Sequence, residues 1–118
     1  MARSLSESDW KLFRKLQEVA LERFCDRVLV EVTRIAAETS KSSHDRYLAV
    51  FKMLKKRDRE LEIAFHSPQR STAYEQLSSI LSLRLLTKDE YDQFSSAVRA
   101  ALKYVDDESD RRGPLFGN

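Results

Sequence analysis

Glycine and asparagine are nearly absent from this 118-residue chain. Its two glycines, Gly113 and Gly117, lie within the last six residues, together with the single asparagine, Asn118. A dinucleotide-binding GxGxxG turn, a Walker phosphate loop, a GxSxG nucleophile elbow and an EF-hand loop all require glycine, so residues 1–112 cannot form them. Asn-Gly and Gly-Gly hairpin turns are missing as well, which leaves little turn chemistry for an antiparallel sheet. An all-α fold is therefore expected.

Cysteine and long apolar runs are also scarce. The single Cys25 cannot build a disulfide framework, which favours a reducing, cytoplasmic compartment. No segment approaches the roughly 18 apolar residues that a membrane helix needs, and the first residues lack the apolar run of a signal peptide. The 21 basic and 19 acidic residues leave a net charge of +2, which is too balanced to indicate a nucleic-acid-binding domain by itself. One cytoplasmic domain is expected.

Apolar residues recur at helical spacing in four segments of the chain. This periodicity predicts helices over about 7–38, 43–65, 68–86 and 88–105, followed by a flexible tail over 106–118. We expect these helices to form a four-helix bundle-like domain, residues 1–105, with a long first helix and a C-terminal antiparallel helical hairpin.

Serine and threonine mark the predicted helix starts. Ser6 and Ser42 can accept hydrogen bonds from the first backbone N–H groups of the helices that follow. Thr87 and Glu90 have the spacing of a capping box. Because no glycine precedes Gly113, the helices are expected to end by fraying or in 3₁₀ turns rather than with glycine caps.

The segment from Leu77 to Leu102 is similar to a short helix–turn–helix hairpin common at the C-termini of bacterial proteins. In that hairpin the second helix begins with Thr-x-x-Glu and an aromatic residue, here Thr87, Glu90 and Tyr91. The resemblance covers about a quarter of the chain and carries no function with it.

One carboxylate interrupts the apolar stripe of the second helix. The stripe consists of Tyr47, Phe51, Leu54, Leu61 and Phe65, and Asp58 occupies a position where an apolar residue is expected. A buried carboxylate needs a partner. We predict a buried ion pair with Arg84, which interrupts the stripe of the third helix; Arg27, Arg34 and Arg70 are alternative partners. Simple exposure and a functional carboxylate are the remaining interpretations.

A basic cluster lies on the same helix. Its exposed face is predicted to comprise Lys52, Lys55, Lys56 and Arg59, and Arg57 lies beside them. Regularly spaced cations suit phosphate oxygens, so these four residues are candidate phosphate contacts. The alternative is a solvated outer face balanced by neighbouring acids. No aromatic residue interleaves with the cluster to stack on bases.

A second apolar set lies on the first helix, opposite its main stripe. Its members are Leu12, Leu16, Val19 and Val30. Such residues on an outer face predict a protein partner or a homodimer interface. The alternative is that the other helices wrap around the first helix and cover them.

No motif predicts catalysis or metal binding. Glu62 and His66 have i, i+4 spacing, but His44 lies at the other end of the same helix, too far to complete a His₂ site. Cys25 is interpreted as a small core residue. The expected function is therefore that of a non-enzymatic helical protein–protein interaction module, with no cofactor or small-molecule substrate. The alternative is a nucleic-acid- or ribosome-associated accessory protein.

Overall fold

The computed structural model describes residues 4–105, and within them the fold is all-helical with a long first helix, as predicted. The helices are α1 (Glu7–Ala36), α2 (Ser43–Phe65), α3 (Ala73–Ser82), α4 (Lys88–Tyr91) and α5 (Ser96–Ala101), with a 3₁₀ turn (Arg70–Thr72) before α3. The predicted bounds of the second helix, 43–65, agree with α2. The predicted tail, 106–118, lies outside the described residues.

The helix starts follow the serine and threonine signals. The Ser6 hydroxyl accepts a hydrogen bond from the backbone N–H of Asp9, and Ser42 accepts one from Asp45. Thr87 and Glu90 form the predicted capping box. These caps satisfy backbone donors that have no partner within the helix.

The end of α3 departs from the sequence prediction. The Leu85 N–H bonds to Ile80 O and the Arg84 N–H to Leu81 O, which is the pattern of a Schellman cap. Arg84 therefore adopts φ 56°, in the left-handed region that glycine normally occupies. The predicted helix over 68–86 is thus shortened to Ala73–Ser82, and a capped end without glycine replaces the expected fraying.

The predicted helix over 88–105 is also divided in the structure. α4 ends at Tyr91, and α5 starts only at Ser96, after a new N-cap at Ser95. The backbone N–H of Ser95 is bound by the carboxylate of Asp9 instead of continuing a helix. A four-helix bundle with a C-terminal helical hairpin is therefore not confirmed.

The core surrounds only the first half of α1. Its buried residues on α1 are Phe13, Leu16, Ala20 and Phe24, and they meet apolar residues of α3, α4 and α5 such as Ile80 and Val98. The later turns of α1 and the first turns of α2 extend beyond this core as an antiparallel helical pair. The described chain is accordingly elongated, with extents of 52 × 28 × 21 Å.

Candidate functional site

Polar contacts fix α1 and α2 side by side. Gln17 donates to Ala64 O at 3.1 Å, and Arg57 Nε donates to Glu31 Oε1 at 3.0 Å. Near the loop, Arg46 donates to Ala36 O at 2.5 Å, which satisfies a carbonyl at the end of α1. These contacts fix the register of the two helices, so they show which residues of α1 and α2 lie at the same height along the helix axes.

Large apolar side chains are exposed on the part of this helical pair that extends past the core. Tyr47 is 65% exposed, Leu29 62% and Phe51 51%, and Leu54 and Leu48 are also exposed. Isolated exposed apolar residues are common on proteins, but a contiguous group marks an interaction site.

Apart from Leu48, these residues form one surface across two helices. Tyr47, Phe51 and Leu54 follow each other at i, i+4 and i+7 along α2, which places them on one side of that helix. One side of α1 likewise carries Leu29, Val32 and Ala36, which follow each other at i, i+3 and i+7. A cavity of about 310 Å³ at the loop end is lined by residues of both helices: Ala36, Ser43, Arg46, Tyr47 and Val50. We call the six residues Leu29, Val32, Ala36, Tyr47, Phe51 and Leu54 the distal face.

The distal face points away from the C-terminal helices. Asp9, Arg23 and Arg27 on α1 bind residues of the segment from Leu83 to Ser95. At 100° per residue, Leu29 and Ala36 lie on the opposite side of α1 from these three. No other element of the described chain covers the distal face.

Charges of opposite sign flank the distal face. Glu22 and Asp26 lie on the side of α1 opposite to its contacts with α2, and Lys52, Lys55 and Arg59 lie on the side of α2 opposite to its contacts with α1. All five side chains are exposed, and no ion pair joins them to another residue within 4–105. The exposed acids Asp58 and Glu62 lie on the same side of α2 as Tyr47 and Phe51, so the apolar surface has acidic residues on α1 and charges of both signs on α2.

The apolar set predicted as a partner interface is divided by the structure. Leu16 is 5% exposed and belongs to the core, and Leu12 packs against the core. Val19 is partly buried, whereas Val30 is 69% exposed. The prediction is wrong for Leu16, because the C-terminal helices wrap around this part of α1, and only Val30 remains on an open surface.

The predicted phosphate contacts are all accessible. Lys52, Lys55, Lys56 and Arg59 are exposed, and Lys55 Nζ lies 5.5 Å from the centre of the Phe51 ring. Arg57 differs from them, because it is partly buried and pairs with Glu31 and Glu60. These ion pairs raise the pKa of Arg57, with the hydrogen bond to Glu60 as the largest cause.

The predicted burial of Asp58 is wrong. Its side chain is exposed, because only the C-terminal part of α2, from Leu61 onward, packs against the core. Arg84 lies at the C-terminal cap of α3, where its carbonyl oxygen accepts a hydrogen bond from Arg27 at 3.2 Å. The buried ion pair between Asp58 and Arg84 is therefore absent.

Asp58→Ala is expected to change the free energy of unfolding by less than about 0.5 kcal/mol, because the removed carboxylate is solvated. Glu60→Ala is expected to cost more, since Glu60 binds the partly buried Arg57. Urea denaturation of both variants at low protein concentration measures this order. A larger loss for Asp58→Ala would contradict the exposure of that side chain.

Within residues 4–105 the buried carboxylate is that of Asp9, which sequence reasoning did not identify. Its side chain accepts hydrogen bonds from Ser95 N at 3.0 Å, Ser95 Oγ at 2.6 Å and Ser6 Oγ at 3.0 Å. Burial raises the pKa of Asp9, but the hydrogen bonds from Ser95 and Ser6 outweigh burial and lower it below its usual value. Asp9 is thus a charged structural anchor between α1 and α5.

Two arginines hold α1 against the following helices; sequence reasoning missed Arg23 and named Arg27 only as an alternative partner of Asp58. Arg23 donates to both carboxylate oxygens of Glu90 and to Leu85 O, and Arg27 donates to Leu83 O at 2.7 Å. The hydrogen bond from Arg23 is the main reason that the pKa of Glu90 is lowered. The pKa of Arg27 is lowered mainly by burial and, to a smaller extent, by repulsion from Arg84. Their i, i+4 spacing beside an apolar stripe was the available sequence signal.

Within residues 4–105, His, Cys, Asp and Glu side chains form no group of three that could hold a metal ion. None of the described helices combines the length and apolar character needed to cross a membrane. Comparison with protein-family models, with curated proteins and with solved structures finds no match to this chain.

Proposed function

We propose that this protein is a non-enzymatic protein–protein interaction module that binds through the distal face. The observation that carries the proposal is the group of exposed aromatic and aliphatic side chains on a helical pair outside the core, led by Tyr47, Phe51 and Leu29. Aromatic residues are enriched at the centres of protein interfaces, because they bury much area with little loss of conformational freedom.

The shape of the surface also favours a macromolecular partner. The cavity beside Leu29 is lined only by residues of α1: Asp26, Leu29, Val30, Thr33 and Arg34. A depression on one helix has no opposite wall, whereas small-molecule sites enclose most of their ligand. A helix or a pair of helices from a partner can cover such a surface through side chains at i, i+3, i+4 and i+7.

A double substitution in the distal face tests the proposal. Tyr47→Ser/Phe51→Ser removes two apolar anchors, so we expect partner binding to fall at least about tenfold, as for residues at the centre of an interface. The measurement is quantitative co-purification from the native host, with the tagged protein at equal concentration. The control is Ile63→Ser/Tyr104→Ser, which alters two exposed apolar residues outside the distal face. Equal loss in both variants would contradict a role for this surface.

The second candidate function, nucleic-acid binding, is favoured by the exposure of Lys52, Lys55, Lys56 and Arg59. Contacts to phosphate release counterions, so such binding weakens steeply with salt. The test is salt-dependent retention on RNA and DNA, compared between the unmodified chain and Lys55→Glu/Lys56→Glu. Retention that disappears in this variant supports the second function. Unchanged retention excludes it.

We also propose that the protein is cytoplasmic, because its sequence contains a single cysteine. Cys25 is a free thiol, partly exposed on α1. A reducing compartment keeps such a thiol unmodified.

A further inference from the structure

We propose that the groove between α3 and the end of α5 binds a segment of this same chain, residues 111–116, through the side chains of Leu115 and Phe116. The groove has a volume of about 520 Å³, which is within the range of protein sites that enclose a ligand. It lies outside the distal face, so this inference does not depend on the proposed function. Three observations carry it: the side chains of the groove, its distance along the chain from the segment, and the opposite charges of the two.

Aromatic and aliphatic side chains line the groove from two elements. Tyr74 belongs to α3, and Ala101, Leu102 and Tyr104 lie at the end of α5. Tyr104 is 69% exposed, and its hydroxyl group lies 3.5 Å from the Ser78 hydroxyl of α3. An aromatic ring that enters between two tyrosines gains the offset-stacked or edge-to-face contacts that aromatic pairs favour. The groove therefore suits an aromatic occupant.

The chain after Val105 contains one apolar pair, Leu115-Phe116. Every residue from 106 to 112 is charged or polar, and Gly113-Pro114 comes directly before the pair. Gly-Pro is typical of a turn. A turn at this point lets the two apolar side chains enter the groove and leave water, while the charged residues before it remain in solvent.

The groove is within reach of this segment. Leu102 and Tyr104 line it, and they lie three residues and one residue before Val105, the last described residue. Leu115 follows Val105 by ten residues. Ten residues of a flexible chain have a root-mean-square end-to-end distance of about 16–19 Å. A short connection of this kind gives an effective concentration in the millimolar range, so a weak apolar contact is sufficient to fill the groove.

The groove and the segment carry opposite charges. Glu75 is the charged residue that lines the groove; it is exposed, and no ion pair joins it to another residue within 4–105. Arg111 and Arg112 come shortly before the apolar pair, with no acid between them and it. The acids of residues 106–110 lie nearer in sequence to Lys103, which is exposed. The charges therefore favour the end of the segment that carries Phe116 as the occupant.

Nuclear Overhauser spectroscopy of the full chain tests this occupant. Cross-peaks are expected from the ring protons of Phe116 to the Tyr104 ring and the Ala101 methyl group, and Phe116→Ser is expected to shift the signals of the groove residues. Phe51→Ser is the matched control, because it replaces an exposed phenylalanine of the distal face and is expected to leave those signals unchanged. Absence of these cross-peaks, or cross-peaks from Phe116 to the distal face instead, overturns the inference.

An isotope-filtered spectrum distinguishes a segment of the same molecule from that of a second copy. In a mixture of labelled and unlabelled chains, a contact within one molecule gives no cross-peak between labelled and unlabelled protons. Cross-peaks of this kind between Phe116 and Tyr104 would show that another copy fills the groove and would overturn the intramolecular arrangement. Far-UV circular dichroism verifies that each variant folds.

A charge exchange tests the role of Glu75. Glu75→Lys is expected to weaken the Phe116 cross-peaks at least about twofold at low salt, the size of effect that an exposed ion pair produces. Adding Arg111→Glu/Arg112→Glu restores opposite charges and is expected to restore the cross-peaks. Glu18→Lys, which alters an exposed acid of α1, is the control and is expected to leave them unchanged. Cross-peaks that Glu75→Lys does not weaken overturn the pairing of Glu75 with the segment.

Discussion

Asp9→Ala is expected to lower the free energy of unfolding by about 2–3 kcal/mol. The substitution removes three hydrogen bonds to a carboxylate, two from Ser95 and one from Ser6. A hydrogen bond to a charged group contributes about 1.5–3 kcal/mol to stability. The total loss is smaller than three such contributions, because water can bind the Ser95 and Ser6 donors once the carboxylate is removed. It also detaches the N-terminus of α5 from α1. Urea denaturation followed by circular dichroism measures the loss.

Two matched variants separate the anchor from a general charge effect. Glu18→Ala removes an exposed acid from the same helix and is expected to change stability by less than about 0.5 kcal/mol. Asp9→Asn keeps one acceptor for the N–H of Ser95 and is expected to lose roughly half as much as Asp9→Ala. Similar values for Asp9→Ala and Glu18→Ala would show that the carboxylate does not hold the two helices together.

The lowered pKa of Asp9 makes this contribution dependent on pH. A carboxylate whose pKa is lower in the folded state than in the unfolded state stabilises the fold above its unfolded pKa, near 3.8. The stabilisation is lost as the pH falls through the lower folded value. We therefore expect the difference in unfolding free energy between the unmodified chain and Asp9→Asn to be constant above about pH 5 and to shrink below pH 4. A difference that persists unchanged at pH 2 would contradict this assignment.

Arg23→Ala is expected to lower the free energy of unfolding by about 2 kcal/mol. Arg23 binds both oxygens of Glu90 and the carbonyl of Leu85, so its loss leaves two acceptors without their cation. Breaking a fully buried pair costs about 3–5 kcal/mol, and the partial exposure of both side chains reduces this value. Denaturation of Arg23→Ala, Glu90→Ala and the double variant gives the coupling free energy between the Arg23 and Glu90 side chains.

Controls for this pair are available on α1. Lys15→Ala removes an exposed cation and is expected to be nearly neutral. Arg23→Lys keeps the charge but cannot donate to both carboxylate oxygens in parallel, so an intermediate loss is expected. A coupling free energy near zero between Arg23 and Glu90 would mean that the pair is solvated and does not join α1 to α4.

Local signals in the sequence determined the helical class and much of α2. The near absence of glycine and asparagine, the period of apolar residues and the caps at Ser42 and Thr87 depend only on neighbouring residues. Local backbone hydrogen bonds and steric preferences reach three or four residues along the chain. For this reason the predicted range 43–65 agrees with the structure.

Tertiary contacts decided where the later helices stop. The break between α4 and α5 depends on Asp9, which binds Ser95 from 86 residues away in sequence. The end of α3 depends on Arg27, which binds the carbonyl oxygens of Leu83 and Arg84. A periodic pattern carries no information about such distant partners. The helices predicted over 68–86 and 88–105 were therefore longer than those in the structure.

Tertiary structure also decided which apolar residues form the core and which form a surface. In sequence, Leu16 and Phe51 both lie on apolar helix faces. The short C-terminal helices cover the first half of α1, which buries Leu16, and they end before the outer half of the α1–α2 pair, which leaves Phe51 exposed. Periodicity identifies an apolar face, but only the lengths and positions of the other helices determine whether this chain or a partner covers it.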